Sequence, residues 1–355
     1  MLIVFVMAAV MWGIGAAMGA PRAARLNMVG LLFVGVLAIH IILPDGHPLR
    51  EATGSEPELW LLIAAFIAVI FVYRTGLSRL RRRVGTEEAV RETQAEEARA
   101  QGPLTETELN RYARHIVLRE IGGPGQNALK RASVLVVGAG GLGAPALQYL
   151  AAAGVGTIGV IDPDVVEGSN LQRQVIHVDA RIGMPKVFSA EAAMKAQNPF
   201  VAVRPYHRAL TEEIAGDLIS DYDIVLDGTD DAATRYIVNA ACVAAGVPLV
   251  SGALSQWEGQ LSVFDPARGA PCYRCVFDEP AAAGLAPSCA EAGVLSPLPG
   301  VVGAMMAAEA VKLITEAGAP LRGEMVIYDA LWGESRKIAL TRRADCPVCS
   351  GSPPQ

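Results

Sequence analysis

Residues 133–150 read SVLVVGAGGLGAPALQYL: a β-branched run, a burst of glycine, then apolar residues at helical spacing. A strand that turns sharply into a helix through Gly138, Gly140 and Gly143 commits this part of the chain to a parallel α/β layer. The GxGxxG spacing lets backbone approach a phosphate at a helix N-terminus, and the extra Gly141 adds one more point of close approach. A dinucleotide and ATP both satisfy the motif. Asp162, at the end of TIGVIDPD, suits the ribose hydroxyl of either one.

The pattern around this stretch repeats the α/β alternation. Strands are expected over 134–137, 157–161, 201–206, 223–226 and 248–251, with helices over 144–153, 186–197, 212–220 and 232–245. This is the signature of a Rossmann-like, doubly wound sheet with helices on both faces. Strands over 259–264, 323–328 and 337–340 have a single helix, 301–315, among them, which predicts an antiparallel extension of the same sheet. Thr105 and Glu108 form a capping box that opens the domain, followed by Leu109, Tyr112, Ile116 and Leu118 at near-helical spacing.

The first quarter of the chain is different. Hydrophobic residues make up 52% of the 355 positions, charged residues only 19%, and the mean hydropathy is +0.34, which calls for membrane segments. Runs 2–20, 26–43 and 59–73 supply them, the third being the shortest. A signal peptide is the alternative for the first run, but it lacks a basic leading region and a second run follows closely. Arg22 and Arg25 lie between the first two runs, and Arg74, Arg79, Arg81, Arg82 and Arg83 follow the third, while 44–58 is acid-rich. The positive-inside rule then predicts a multi-pass inner-membrane anchor over 1–83 with about three transmembrane helices. A charged linker over 84–103 leads to a cytoplasmic domain over 104–355. The net charge of −6 gives no support for nucleic acid as the main partner, and none is expected.

Chemistry concentrates in the domain. Asn170, Arg173 and Lys186 arrive at the glycine loop after the second strand, and two cations with an amide suit a triphosphate better than a pyrophosphate. Asp227, Asp230 and Asp231 end a later strand, where hard oxygen donors can hold Mg²⁺ against phosphates. Cys272 and Cys275 (CYRC) with Cys346 and Cys349 (CPVC) have the make-up of a closed structural zinc site, with disulfides or redox pairs as the alternative. Cys242, in an Ala-rich helix, reads as a small buried hydrophobe. Cys289, in AGLAPSCAEAGV, is either an inert loop thiol or a nucleophile or persulfide carrier.

The ordered segments RYARHIVLREIG, VLVVGAGGLGAPALQYLAAAGVGTIGVID, SNLQRQVIH, GMPKV, VLDGTDD, VSGALSQWEGQ, CYRC, SCAEAGVLSP and CPVC resemble the ubiquitin-activating-type adenylyltransferases of the MoeB, ThiF and HesA group over about residues 104–351. The resemblance implies a homodimer that uses ATP and Mg²⁺ to adenylate the C-terminal Gly-Gly carboxylate of a ubiquitin-like sulfur-carrier protein. It implies that Asp162 holds the ribose and that Arg173 and Lys186 hold the phosphates. Asp230 would hold the catalytic Mg²⁺, Arg114 would reach the outer phosphates from the partner subunit, and Asn170 and Gln174 would complete the pocket. Cys289 matches a loop cysteine that some members use covalently. No rhodanese-like domain follows CPVC, so a separate desulfurase or rhodanese-like donor is expected to supply sulfur. The matches lie closest to MoeB, which points to molybdenum cofactor biosynthesis, with thiamin-type sulfur transfer as the near alternative.

Two other functional classes fit the residues less well. A nicotinamide oxidoreductase needs a hydride-transfer pair, which His115, His177 and His207 do not suggest. A non-catalytic membrane scaffold has no need for Arg114, Arg173, Lys186 and Asp230 together.

Overall fold

The computed structural model describes residues 2–54, 102–279 and 293–351, with individual residues of 58–73. The chain divides into two units, Met1–Val90 and Arg91–Gln355.

In the first unit, helices Leu2–Ala17 and Arg22–Ile42 precede a short helix, Pro48–Thr53, and the described residues of 58–73 are also helical. Leu43 ends the second helix in extended backbone, as a residue before proline must. At 1.5 Å per residue Arg22–Ile42 reaches about 31 Å, the thickness of a hydrocarbon core, whereas Leu2–Ala17 reaches about 24 Å. Among the described residues of this unit, Arg22–Ile42 alone is long and apolar enough to cross a membrane. Val4, Val36 and Trp60 form its small core, with Phe33 edge-on to Trp60 at 5.4 Å. Leu31, Val34, Ile41 and Ile42 face outward and are exposed. The linker over 84–103 lies outside the described residues except for its last two.

The second unit is built on one eight-stranded sheet. Its strands are β1 (Ser133–Val137), β2 (Thr157–Ile161), β3 (Ala202–Tyr206), β4 (Ile224–Asp227), β5 (Leu249–Leu254), β6 (Glu258–Phe264), β7 (Glu324–Asp329) and β8 (Glu334–Ala339). Their spatial order is β3-β2-β1-β4-β5-β6-β7-β8. The first five pair in parallel and the last three add antiparallel, as the pattern predicts. Both faces of β1 are covered, which explains its unbroken apolar run. Val134 and Val136 pack under helices Gly143–Ala153, Lys186–Gln197 and Leu298–Thr315, with Leu147, Leu150, Met194 and Met306. Leu135 and Val137 pack on the other face against Ile219 and Val238 of helices Glu212–Ser220 and Ala232–Ala245. Leu298–Thr315 also passes a length-and-apolarity test for a membrane span, but it is a core helix of this unit.

The domain entrance is pinned by charge. Thr105 and Glu108 form the expected capping box, and Glu108 pairs with Lys130 at 2.6 Å, both side chains being buried. Lys130 Nζ also donates to the Pro103 carbonyl at 3.1 Å. Tyr112 follows, its hydroxyl accepting from Asn198 Nδ2 at 2.8 Å. Burial would raise the Glu108 carboxyl, but Lys130 and the Thr105 N–H and hydroxyl outweigh it and hold it below the ordinary range.

This pair therefore stabilises the fold above the ordinary glutamate value of about 4.3 and loses its contribution as pH falls through the lowered folded value. Lys130→Met leaves a buried unpaired carboxylate and should cost about 3 kcal/mol in denaturant unfolding near neutral pH. The deficit should shrink in acid, where the carboxyl is neutral; an unchanged unfolding midpoint at neutral pH would contradict this role.

Candidate functional site

Strands β1, β2 and β3 step outward in one direction, and the chain then returns to place β4 on the other side of β1. The loops that leave β1 and β4 diverge there and open a crevice at the carboxyl ends of the strands. The glycine loop sits at this point. Gly138 has φ +93°, and a Cβ placed on it would lie 3.4 Å from the Gly228 backbone and Thr229. A Cβ on Gly143 would lie 1.8 Å from the Gly138 carbonyl oxygen, so only glycine lets the helix start this close to the strand. A Cβ placed on Gly140 would lie 3.7 Å from Gln174 Nε2. Gly141 has an internal constraint that the pattern does not reveal: its missing Cβ makes room for Pro299, 3.1 Å away, in the first turn of Leu298–Thr315.

Asp162 ends β2 under this loop and is buried. Its Oδ2 accepts the Ala139 N–H at 2.8 Å and its Oδ1 accepts the Asp164 N–H at 2.8 Å. Burial pushes its carboxyl above the usual range, although Lys186 and these two N–H groups pull the other way. Lys186 opens its helix directly after Pro185, is buried, and pairs with Asp164 Oδ2 at 2.7 Å. Arg173 donates from Nη2 to Asn170 Oδ1 at 3.1 Å, and its Cγ lies 3.8 Å from the Cβ position of Gly141. Gln174 is buried, and its Oε1 has no hydrogen-bond partner among the described residues. An orphaned acceptor beside a glycine loop is a place for a ligand hydroxyl or amine. Gly138, Gly140, Gly141, Gly143, Asp162, Asn170, Arg173, Gln174 and Lys186 thus belong to one neighbourhood.

The three aspartates after β4 separate into different tasks. Asp227 is fully buried; its Oδ1 accepts from the Thr229 N–H and hydroxyl at 3.0 and 2.7 Å, and its Oδ2 faces Arg235 Nη1 at 3.6 Å. Asp231 caps helix Ala232–Ala245 by accepting from Thr234, whose hydroxyl and N–H lower its carboxyl. Asp230 lies between them and, like Asp231, is exposed. Of the three aspartates expected near Mg²⁺, Asp227 and Asp231 each use a carboxylate oxygen to hold the loop. Arg235, which the motif reading passes over, ties this loop to β5 by donating to the Thr229 and Gly252 carbonyls and to Ser251 Oγ. Its signal is periodic: it shares the buried face of its helix with Val238, Asn239 and Cys242.

His177 is buried. It lies 2.9 Å from the Ala139 carbonyl oxygen through Nε2 and 2.9 Å from Ser189 Oγ through Nδ1. Burial is the main cause that holds its imidazole below the ordinary histidine value. His115 meets Gln126 at 3.3 Å, and His207 meets the Pro163 carbonyl at 3.0 Å from an exposed position. Arg114 is exposed on the short helix Ala113–Ile116, and no hydrogen bond or ion pair joins it to the glycine loop among the described residues. Cys289 lies outside the described residues.

A second centre lies in the same unit. Cys272, Cys275, Cys346 and Cys349 are all buried, with their sulfur atoms within 4.8 Å of one another. The Sγ separations of 3.8, 3.6 and 3.4 Å are close to the edge of about 3.8 Å expected for a tetrahedron with Zn–S near 2.3 Å. Burial pushes the Cys272 thiol up; at Cys346 burial is outweighed by the N–H groups of Cys349 and Val348, which bring it to about 7. Four thiols in this arrangement fit a closed metal site and leave no position for a substrate. Cys242 is buried in the core, where desolvation raises its thiol.

The chain is similar to known proteins in sequence and in fold. Residues 112–348 match the ThiF family. The chain is 49% identical to a sulfur carrier protein adenylyltransferase of Thermus thermophilus over 255 residues, 71% of this chain and 94% of that one. It is 47% identical to a molybdopterin-synthase adenylyltransferase of Escherichia coli over 249 residues, 69% of this chain and 98% of that one. Among solved structures, Escherichia coli MccB in a crystal with ATP has the same fold, with a TM-score of 0.60 at 23% identity, covering 68% of this chain and 75% of that one. The sheet order, the glycine loop and these matches agree: the chain belongs to the ThiF family.

Proposed function

We propose that the chain is an adenylyltransferase that uses ATP to activate the C-terminal Gly-Gly carboxylate of a ubiquitin-like sulfur-carrier protein. The observation that carries this reading is the gathering of Arg173 and Lys186 around a glycine loop at the sheet's switch point, with Asp230 exposed on the facing strand end. Relatives of about half identity named for the same activity support it. A carboxylate oxygen attacks the α-phosphorus, a P–O bond forms, the bond to the β-phosphate oxygen breaks, and pyrophosphate leaves. The nucleophile is already ionised, so the protein's work is positioning and charge neutralisation rather than proton abstraction. Asp162 holds the ribose, Asn170 and Gln174 close the pocket, and Arg173 and Lys186 neutralise the phosphates. Asp230 would hold Mg²⁺, which supplies further neutralisation of the phosphate oxygens when bound.

In this reading a homodimer completes the site, with Arg114 reaching across from the partner subunit. Zn²⁺ held by Cys272, Cys275, Cys346 and Cys349 clips the C-terminal segment to the domain. The exposed apolar face of Arg22–Ile42 supports a multi-pass membrane anchor, and the arginines at 74–83 support a cytoplasmic catalytic domain. Sulfur then comes from a separate desulfurase or rhodanese-like protein. The match to a molybdopterin-synthase adenylyltransferase favours molybdenum cofactor biosynthesis as the pathway.

Exchange of labelled pyrophosphate into ATP should depend on an added carrier ending in Gly-Gly, and a panel of molybdopterin-type and thiamin-type carriers should favour the former. Asp230→Ala should lower the rate by about 100-fold or more; exchange that ignores the carrier would overturn the adenylation reading. Elemental analysis should find one zinc per chain, and Cys346→Ser should lose it and expose the C-terminal segment to proteolysis. A zinc-free wild type with an unchanged melting profile would exclude a structural metal. A reporter active only in the periplasm should stay silent when fused to the C-terminus, and a strong signal would reverse the orientation.

A further inference from the structure

The peptide group that joins Ala139 to Gly140 is held from inside the protein by a side chain. The Ala139 N–H is bound by Asp162 Oδ2 and the Ala139 carbonyl faces His177 Nε2, each within 2.9 Å. A carbonyl oxygen only accepts, so Nε2 carries the proton in this contact. In the neutral imidazole Nδ1 is then bare, and the Ser189 hydroxyl at 2.9 Å donates to it. Ser189 lies on the helix that Lys186 opens, and His177 lies on the segment that carries Arg173 and Gln174. One buried ring therefore joins the glycine loop, the Arg173 segment and the Lys186 helix.

The direction of this peptide has a chemical consequence. All described peptide bonds are trans, and in a trans peptide the C=O and the following N–H point opposite ways. With the Ala139 carbonyl drawn toward buried His177, the Gly140 N–H is turned away from the ring. A rotation of this peptide would instead direct a carbonyl dipole outward, where it would repel phosphate. Gly140, on one side of this peptide, offers little resistance to such a rotation, so the hydrogen bond to the Ala139 carbonyl is what opposes it.

We propose that His177 is a positioning residue for ATP: its Nε2–H holds the Ala139 carbonyl inward and so presents the Gly140 N–H to the phosphates. This rests on the nucleotide reading of the site. It assigns His177 no contact with substrate and no proton transfer.

The test uses the full-length protein in detergent, with ATP as the probe and calorimetry as the readout. His177→Leu removes the donor and should weaken ATP binding about tenfold or more, the loss of a hydrogen bond to a charged group, while the KM for the carrier stays within about twofold. His177→Gln returns an N–H donor and should bind ATP within about threefold of wild type. ATP binding by His177→Leu equal to wild type, or His177→Gln as weak as His177→Leu, overturns the proposal. Nitrogen NMR of the histidine-labelled wild type gives a readout that needs no folded variant: Nε2 of His177 should be protonated and Nδ1 bare across about pH 6 to 8. The reverse tautomer also overturns it. Failure of wild type to bind ATP at all would instead sink the nucleotide reading on which the proposal stands.

Discussion

The whole site depends on how closely one helix can begin behind one strand. The Gly138 carbonyl occupies the space where any side chain at 143 would start, so helix Gly143–Ala153 is pressed onto β1 and its first turn opens directly over the crevice. The same closeness seats Gly138 against Gly228 and Thr229, locking the loops after β1 and β4 together. Pro299 then fills the space over Gly141 and fixes the loop from the side of the long core helix. Substitution at either tight glycine would move the helix start, and every group placed around it would move as well.

Charge is arranged around this geometry before any ligand arrives. Lys186 is buried yet paired with Asp164, which is largely exposed, so the lysine has a compensating charge at the solvent edge of the site. Arg173 rests on the neutral amide of Asn170. Asp227 and Arg235 face each other below the Asp230 loop and bind it through its own backbone, so the exposed carboxylate stands on a rigid support. The cations can exchange these partners for phosphate oxygens without first crossing the protein interior, and this limits the reorganisation that binding demands.

Much of this was legible in the residue order because local rules and tertiary structure agree. The capping box at Thr105, the strand at 157–161 and the helices at 186–197, 212–220 and 232–245 coincide with the structure. The helix expected to start at 301 begins instead at Leu298, since Pro299 is tolerated in a first turn. What stayed hidden depends on residues distant in sequence. The Gly141–Pro299 contact spans more than half of the domain, and neither partner signals the other. That Asp227 and Asp231 hold the loop through Thr229, Thr234 and Arg235 shows only when these side chains are placed beside them. His177 is one of five histidines, and only its distance to Ala139 separates it from an ordinary buried ring.

The cysteine cluster has a consequence in chain entropy. Cys272 and Cys346 are 74 residues apart, and between them lie the core helix Leu298–Thr315 and the hairpin of β7 and β8. A bond closing a loop of that length removes conformations from the unfolded chain worth on the order of 4 kcal/mol in the loop-closure model. A metal held here would act as a reversible cross-link of the same kind, so the conformational freedom of the unfolded polypeptide, and with it the folding equilibrium of the sheet's antiparallel edge, would follow the free concentration of the ion.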